Sequence, residues 1–293
     1  MQFGRYQVEI LTEGTMRLDG GSVFGVVPKT TWGTYLQPDA RNRVTLGIRQ
    51  LLVRGPGVVM LVDAGMGTKV PPGLLAGYGV ESLSSWEERL SPFGLSPENI
   101  THVVLTHLHL DHAGGATKSN PDKSEVIPTF PNARHYVQDL EWKAACLPTD
   151  CGKTSYDFAN YLPLQDATLL HCVSGDVEIL EGIRVKLTGG HTRGHQMVII
   201  GEPNASLYYP GDVVPTAFHL NPTWTAAYDL YPLDVVETRR WLLRQVTNSP
   251  HLVLFPHDFS GVFNKVTGTL EHFAVEEHGQ SRLEARTELF PTI

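Results

Sequence analysis

One segment limits the possible folds more than any other. It reads Val103-Val104-Leu105-Thr106-His107-Leu108-His109-Leu110-Asp111-His112-Ala113-Gly114-Gly115. An apolar run changes within one residue into a string of four side chains able to bind a metal ion. Val103–Thr106 reads as a buried strand, and side chains alternate along extended chain, so His107 and His109 fall on the same side. Asp111 and His112 arise where the backbone turns towards a helix, and Gly114-Gly115 lets it come close to a neighbour there. Imidazoles with a carboxylate and no thiolate suit Zn²⁺, Fe²⁺ or Mn²⁺ at a catalytic site rather than a closed structural one.

Three later residues repeat the construction. His191 follows Val185-Lys186-Leu187-Thr188-Gly189-Gly190 and precedes Thr192-Arg193-Gly194-His195. Asp212 follows Leu207-Tyr208-Tyr209-Pro210-Gly211, and His257 follows Leu252-Val253-Leu254-Phe255-Pro256. Each time an apolar strand delivers a His or Asp at its carboxyl end, which is how a sandwich gathers ligands from distant positions onto one rim. Further short apolar or alternating runs read as strands at 45–53, 58–62, 134–137, 183–187, 197–200, 206–209 and 252–255. A helix is expected after Pro232, capped by Asp234 and apolar through Val235, Val236, Trp241, Leu242 and Val246. Weaker helical patterns run from Ser84 to Leu90 and from Asp139 to Cys146. Strands interleaved with helices, without the regular spacing of a barrel, indicate an α/β or α+β sandwich. Segments 21–43 and 213–232 are long connections of the kind that usually carry function. No linker is visible, so a single domain over 1–293 is expected.

Composition excludes several classes. Apolar residues make up 41% of the 293 and charged residues 18%, which is not a disordered composition. With 23 basic and 31 acidic residues the net charge is −8, and no Lys/Arg run exists to neutralise a nucleic-acid backbone. No apolar stretch reaches the roughly 18–20 residues needed to cross a bilayer. The N-terminus lacks a basic-then-apolar signal segment. The three cysteines, Cys146, Cys151 and Cys172, are odd in number and fit no CxxC spacing, so a cytoplasmic location is expected. Cys146 and Cys151 are read as plain buried thiols.

The order HxHxDH, then HxxGH, then GD, then a lone His resembles the metallo-β-lactamase-fold superfamily. The likeness runs from about Gly47 to His257 and includes Asp63-Ala64-Gly65, similar to the family's LVDTG element. Within the superfamily the chain is most similar to the N-acyl-homoserine-lactone lactonases and the related organophosphate and ester hydrolases. The Gly20-Gly21 to Pro28 loop, Gly194-His195-Gln196 and Pro256-His257-Asp258 carry that narrower resemblance. It implies a four-layer αββα sandwich with two divalent ions at the rim, zinc first, with iron, manganese or cobalt as alternatives. It further implies that His107, His109 and His191 bind one ion, that Asp111, His112 and His257 bind the other, and that Asp212 bridges them. Two such ions bring +4 against −2 from the carboxylates, leaving room for a bridging hydroxide as the attacking group. Asp111 and Asp212 are then the catalytic carboxylates, Asp111 steering the water or passing a proton to the leaving group.

Other residues have two readings each. Asp63 either accepts from a ligand histidine and fixes its tautomer or forms an ordinary Asx turn. His195 is read as structural or as support to a ligand, and His219 as a substrate contact or a surface residue. Phe24, Trp32, Phe218 and Trp224 either wall an apolar pocket or pack in the core. The expected activity is hydrolysis of a lactone or simple ester, N-acyl-homoserine lactones among them, with phosphotriester turnover on the side. A thiolester hydrolase of the glyoxalase II type is the alternative, although that branch usually adds a basic C-terminal helical domain. A mononuclear-iron persulfide dioxygenase is a further alternative and would leave Asp111, His112 and His257 without a task. The lactonases carry a substrate-facing tyrosine soon after the bridging aspartate, where this chain reads Val213-Val214-Pro215-Thr216-Ala217-Phe218-His219. The expected partner is a small-molecule substrate, not nucleic acid or membrane. A homodimer is also expected, as in the related lactonases.

Overall fold

A strand covered on both faces must be apolar on both, and the centre of this fold follows that rule. In Arg43–Gly55 and Val58–Val62, the residues Leu51, Val53, Met60 and Val62 enter one core, while Leu52 and Leu61 enter another. The computed structural model describes residues 1–150 and 152–277, with the backbone of 280–286 in addition. These two strands lie inside a seven-stranded sheet of order Gln2–Phe3, Tyr6–Asp19, Arg43–Gly55, Val58–Val62, His102–Val104, Arg134–Gln138, Leu170–Val173. Pairing is antiparallel up to Val58–Val62 and parallel beyond it.

A second sheet runs Val177–Leu180, Ile183–Leu187, Gln196–Glu202, Ala205–Tyr209, Leu252–Val253. Its last pair is parallel, and the helix Pro232–Val246 makes the crossover that a parallel pair requires. Val8, Leu51, Val53, Met60, Val62 and Val104 of the first sheet meet Val185, Val198, Ile200, Leu207 and Tyr209 of the second. Trp86, Leu90, Ala145 and Leu164, from short helices, cover the outer face of the first sheet. Val235, Leu242, Leu243 and Val246 cover that of the second. The layers are therefore helix, sheet, sheet, helix, as the resemblance implies. Among the described residues no helix is long and apolar enough to cross a membrane.

Most expected strands appear, but the longest, Tyr6–Asp19, carries no clear signal in the sequence. Its register shifts between Thr12 and Gly14, so the alternation changes phase halfway and reads as no pattern in a linear sequence. The helix after Pro232 is present, but Asp234 does not cap it. Tyr231 occupies the cap position, Pro232 opens the helix, and Asp234 sits in the first turn facing Arg193 at 3.5 Å. The pattern from Ser84 forms the short helix Trp86–Leu90, where Ser85 and Glu88 make a reciprocal capping pair. Cys146 is half-buried and Cys172 exposed, both as free thiols, so Cys146 is less buried than expected. Cys151 lies outside the described residues.

Candidate metal centre

The strand His102–Val104 ends in the middle of the first sheet, and the segment beyond it is held from beneath by one carboxylate. Asp63 has a left-handed backbone (φ 61°), uncommon for a residue with a Cβ, and this turns its side chain under the next strand. It accepts from Thr106 N–H (2.7 Å), the Tyr209 hydroxyl (3.1 Å) and His112 Nδ1 (2.8 Å). An imidazole that donates through Nδ1 presents a lone pair at Nε2. The same logic fixes His257, whose Nδ1 donates to the Gly47 carbonyl (2.8 Å), and His191, whose Nδ1 faces Asp229 (3.1 Å).

The free nitrogens converge. His112 Nε2 and His257 Nε2 lie 3.1 Å apart, and Asp212 Oδ1 lies 3.0 and 2.9 Å from them. His191 Nε2 lies 3.0 Å from His109 Nδ1 and 3.6 Å from Asp212 Oδ2. Asp111 Oδ2 lies 3.7 Å from His112 Nε2 and 3.6 Å from His257 Nε2. Donor atoms fall into two sets, each within 4.8 Å: His107, His109 and His191 in one, and Asp111, His112, Asp212 and His257 in the other. Asp212 turns one oxygen to each set. His107 Nε2 is buried with no hydrogen-bond partner, and Asp212 Oδ1 faces only the two imidazole nitrogens just named. Lone pairs aimed at lone pairs, beside orphaned buried acceptors, are what divalent cations would satisfy. Five imidazoles and two carboxylates suit such ions chemically.

Electrostatics separates the rings that face a carboxylate from those that do not: Asp229 and Asp212 raise His191 against the effect of burial, as Asp212 raises His257. Burial lowers His107 and His109 well below the ordinary imidazole value, helped by neighbouring histidines. Burial acts against His112 as well, but the Asp212, Asp63 and Asp111 carboxylates outweigh it and hold the ring well above that value. Burial opposes ionisation of Asp212, yet His112 and His257 bring it well below the carboxylate range.

Supporting residues divide in the same way. His195 is fully buried and accepts from Asp212 N–H (3.0 Å), while Thr188 Oγ1 faces its other nitrogen at 2.6 Å. It therefore orients Asp212 and reaches neither donor set. Gly211 (φ 58°) is needed here, because a Cβ would sit 2.5 Å from His195 Nε2.

His219 is neither a surface residue nor a substrate contact. It is fully buried, with Nε2 facing the Val23 carbonyl (2.9 Å), Thr216 Oγ1 at Nδ1 (2.8 Å) and its ring stacked on Phe24 (5.1 Å). Phe24, Trp32, Phe218 and Trp224 do not wall the cavity either. The 21–43 segment contains two helical turns, Gly20–Phe24 and Lys29–Trp32, whose apolar sides turn inward onto Met16, Leu46 and Ile48. Phe24 stacks on Trp32 (5.2 Å) and meets Phe218 and Trp224 edge-on.

The cavity over the two donor sets, about 480 Å³, is lined instead by Met16, Leu18, Tyr78, Leu110, Tyr228 and Leu230, with His109, Asp111, His191, Asp212 and His257 at its base. Sequence reasoning missed Asp229, Tyr228 and the buried Glu141. Asp229 faces His191 at one oxygen and accepts from Ala226 N–H at the other (2.9 Å). No spacing rule marks it, because loop folding alone brings it under His191.

Residues 46–119 and 127–257 match the family model of the metallo-beta-lactamase superfamily, and the chain belongs to that superfamily. An N-acyl homoserine lactonase from a Bacillus species is 30% identical over 111 residues, 38% of this chain and 37% of the relative. The N-acyl homoserine lactonase AttM of Rhizobium radiobacter is 30% identical over 124 residues, 40% of this chain and 42% of the relative. The chain thus matches about two fifths of the length of these relatives. A probable metal-dependent hydrolase from Staphylococcus aureus superimposes with TM-score 0.81 at 27% identity, covering 99% of this chain and all of that one. AidC, a dizinc quorum-quenching lactonase solved with the product N-hexanoyl-L-homoserine, shares the fold at TM-score 0.76 and 20% identity, over 94% and 95% of the two chains.

Proposed function

We propose that this chain is a two-ion, metal-dependent hydrolase of lactones or simple esters, with N-acyl-homoserine lactones as the first substrates to try. The observation that carries the reading is Asp212, which turns one oxygen to each of two complete donor sets. His107, His109 and His191 would hold one ion and Asp111, His112 and His257 the other, with Asp212 shared. When bound, such ions supply a water acidified to a pKa near 7 and a Lewis acid for the scissile carbonyl. Zinc is the first candidate, since the dizinc AidC shares the fold.

The chain's own residues do the rest. Asp111 is the acidic ligand with the greater exposure to the cavity (side chain 20% exposed against 8% for Asp212). That exposure suits it to hold the proton of the attacking water and pass it to the leaving alkoxide. Tyr228 lines the cavity with its ring 5.7 Å from His191. Burial, then the Asp212 and Asp229 carboxylates, raise its phenol well above the ordinary value, so it stays a donor for the substrate's carbonyl oxygen. Met16, Leu18, Leu110 and Leu230 offer an apolar wall for an acyl chain and keep water from it. The lactonase relatives support the lactone assignment. Phosphotriester turnover is proposed as a side activity, because the same attack applies at phosphorus.

Elemental analysis with a panel of acyl lactones, aryl esters, thiolesters and a phosphotriester tests the proposal. The expected result is two ions per chain with lactone or ester turnover. One iron per chain and no hydrolysis of any member would overturn it.

A further inference from the structure

Three histidines of one donor set come from two different sheets. His107 and His109 lie beyond the strand His102–Val104 of the first sheet, and His191 lies beyond Ile183–Leu187 of the second. One side chain ties these two segments together. Glu141, on the helix Asp139–Cys146, is fully buried. Its Oε1 accepts Leu108 N–H (3.0 Å), from the residue between His107 and His109, and the Tyr156 hydroxyl (3.0 Å). Its Oε2 accepts the hydroxyl of Thr192, the residue after His191 (2.5 Å). The Tyr156 ring packs against His109 with centroids 5.1 Å apart. The loop carrying His191 is pressed onto the same helix, since a Cβ on Gly194 would collide with the backbone nitrogen of Glu141.

A fully buried carboxylate is costly unless its lone pairs are filled, and here three donors fill them. All three belong to the surroundings of the His107, His109 and His191 set. The other set hangs on different supports, His112 on Asp63, His257 on the Gly47 carbonyl and Asp212 on His195. We propose that Glu141 is a positioning residue that sets the distance between His191 and the His107–His109 pair, and so governs the affinity of one ion without governing the other. This rests on the two-ion reading above.

The test is a zinc titration of metal-free protein against a chromophoric chelator, with bound ions counted by elemental analysis and folding checked by circular dichroism. Wild type is compared with Glu141→Leu, which removes both acceptor oxygens and with them all three hydrogen bonds, and Thr192→Val, which keeps shape and cuts only the link to His191. The expected result is that both variants lower the affinity of one ion by about 10- to 100-fold and leave the other unchanged. Glu141→Gln, which keeps a carbonyl acceptor, should fall between them and wild type. The effect should be non-additive with His191→Ala and additive with His257→Ala.

Equal weakening of both ions, or no weakening of either, overturns the proposal. If Glu141→Leu does not fold, Thr192→Val carries the test alone. A wild type that binds a single ion overturns the two-ion reading. In that case the positioning role fails if Thr192→Val leaves that ion's affinity unchanged.

Discussion

The two halves of the centre are built from different materials. One half is three imidazoles and no carboxylate of its own, and burial keeps His107 and His109 neutral. The other mixes two imidazoles with Asp111 and the shared Asp212, and the Asp212, Asp63 and Asp111 carboxylates raise the His112 imidazole against the effect of burial. The supports differ as well. Glu141 and Asp229 sit under the first half and the Gly47 carbonyl under the second, while Asp63 holds both His112 and Thr106, the hydroxyl beside His107, and His195 holds the shared Asp212. Seven ligands on one rim are thus two sets, each with a brace of its own, joined through Asp212 above and Asp63 beneath.

Removing the shared residue should have the largest effect. Asp212→Asn should abolish nearly all hydrolysis and weaken both ions, and His112→Ala should abolish hydrolysis while chiefly weakening one. Near-wild-type turnover in either variant, with the fold intact by circular dichroism, would break the two-set description. Chelation should come next, because the ligands arise from distant segments that the ions tie together. Verified metal removal should lower the melting temperature, with stabilisation of about 4 kcal/mol when free ion exceeds Kd a thousandfold. An unchanged melting temperature would mean that protein contacts alone fix the rim.

Asp63→Asn and Asp229→Asn offer a sharper contrast. Each removes a carboxylate behind one ligand ring, His112 in the first case and His191 in the second. Each should cost about 10- to 100-fold in the affinity of a different ion. If both variants weaken the same ion in a competition titration, the assignment of supports to halves is wrong.

A further effect concerns pH and lies outside the ligand sets. Burial pushes His135 and His219 down to about 4. Both are then neutral when folded, and the unfolded chain takes up their protons first as pH falls. They leave stability unchanged above about pH 6.5 and lower it progressively towards pH 4, by on the order of 3 kcal/mol each. Denaturant unfolding of the metal-free protein at pH 7, 5.5 and 4 should show this decline. His135→Leu should make it shallower, and an unaltered slope would contradict the assignment.

Much of the centre is legible in the sequence. All seven ligand candidates lie at or just beyond the ends of apolar runs, and strand alternation and turn chemistry act over a few residues. Of the braces beneath them, Asp63 and His195 stand out as candidates, but Glu141, Asp229 and the Gly47 carbonyl do not, and no partner can be assigned. Asp63 meets His112 across 49 residues, Glu141 meets Thr192 across 51, and Gly47 meets His257 across 210. Such pairs depend on how the sheets stack, and nothing local encodes them.

The aromatic residues of the long loops show the same divide from the other side. Phe24, Trp32, Phe218 and Trp224 have the composition of a pocket wall, but whether a ring faces cavity or core depends on which way a loop folds back. By itself the sequence determined the ligand types, their order and the strands that deliver them, because those come from periodicity and side-chain chemistry. Only the tertiary structure decided that Met16, Leu18 and Tyr228 line the cavity, that His219 is a buried tie, and that one glutamate joins the two sheets beneath the rim. Those outcomes rest on the packing of surfaces far apart in the chain, where burial and hydrogen-bond satisfaction are settled for all segments at once.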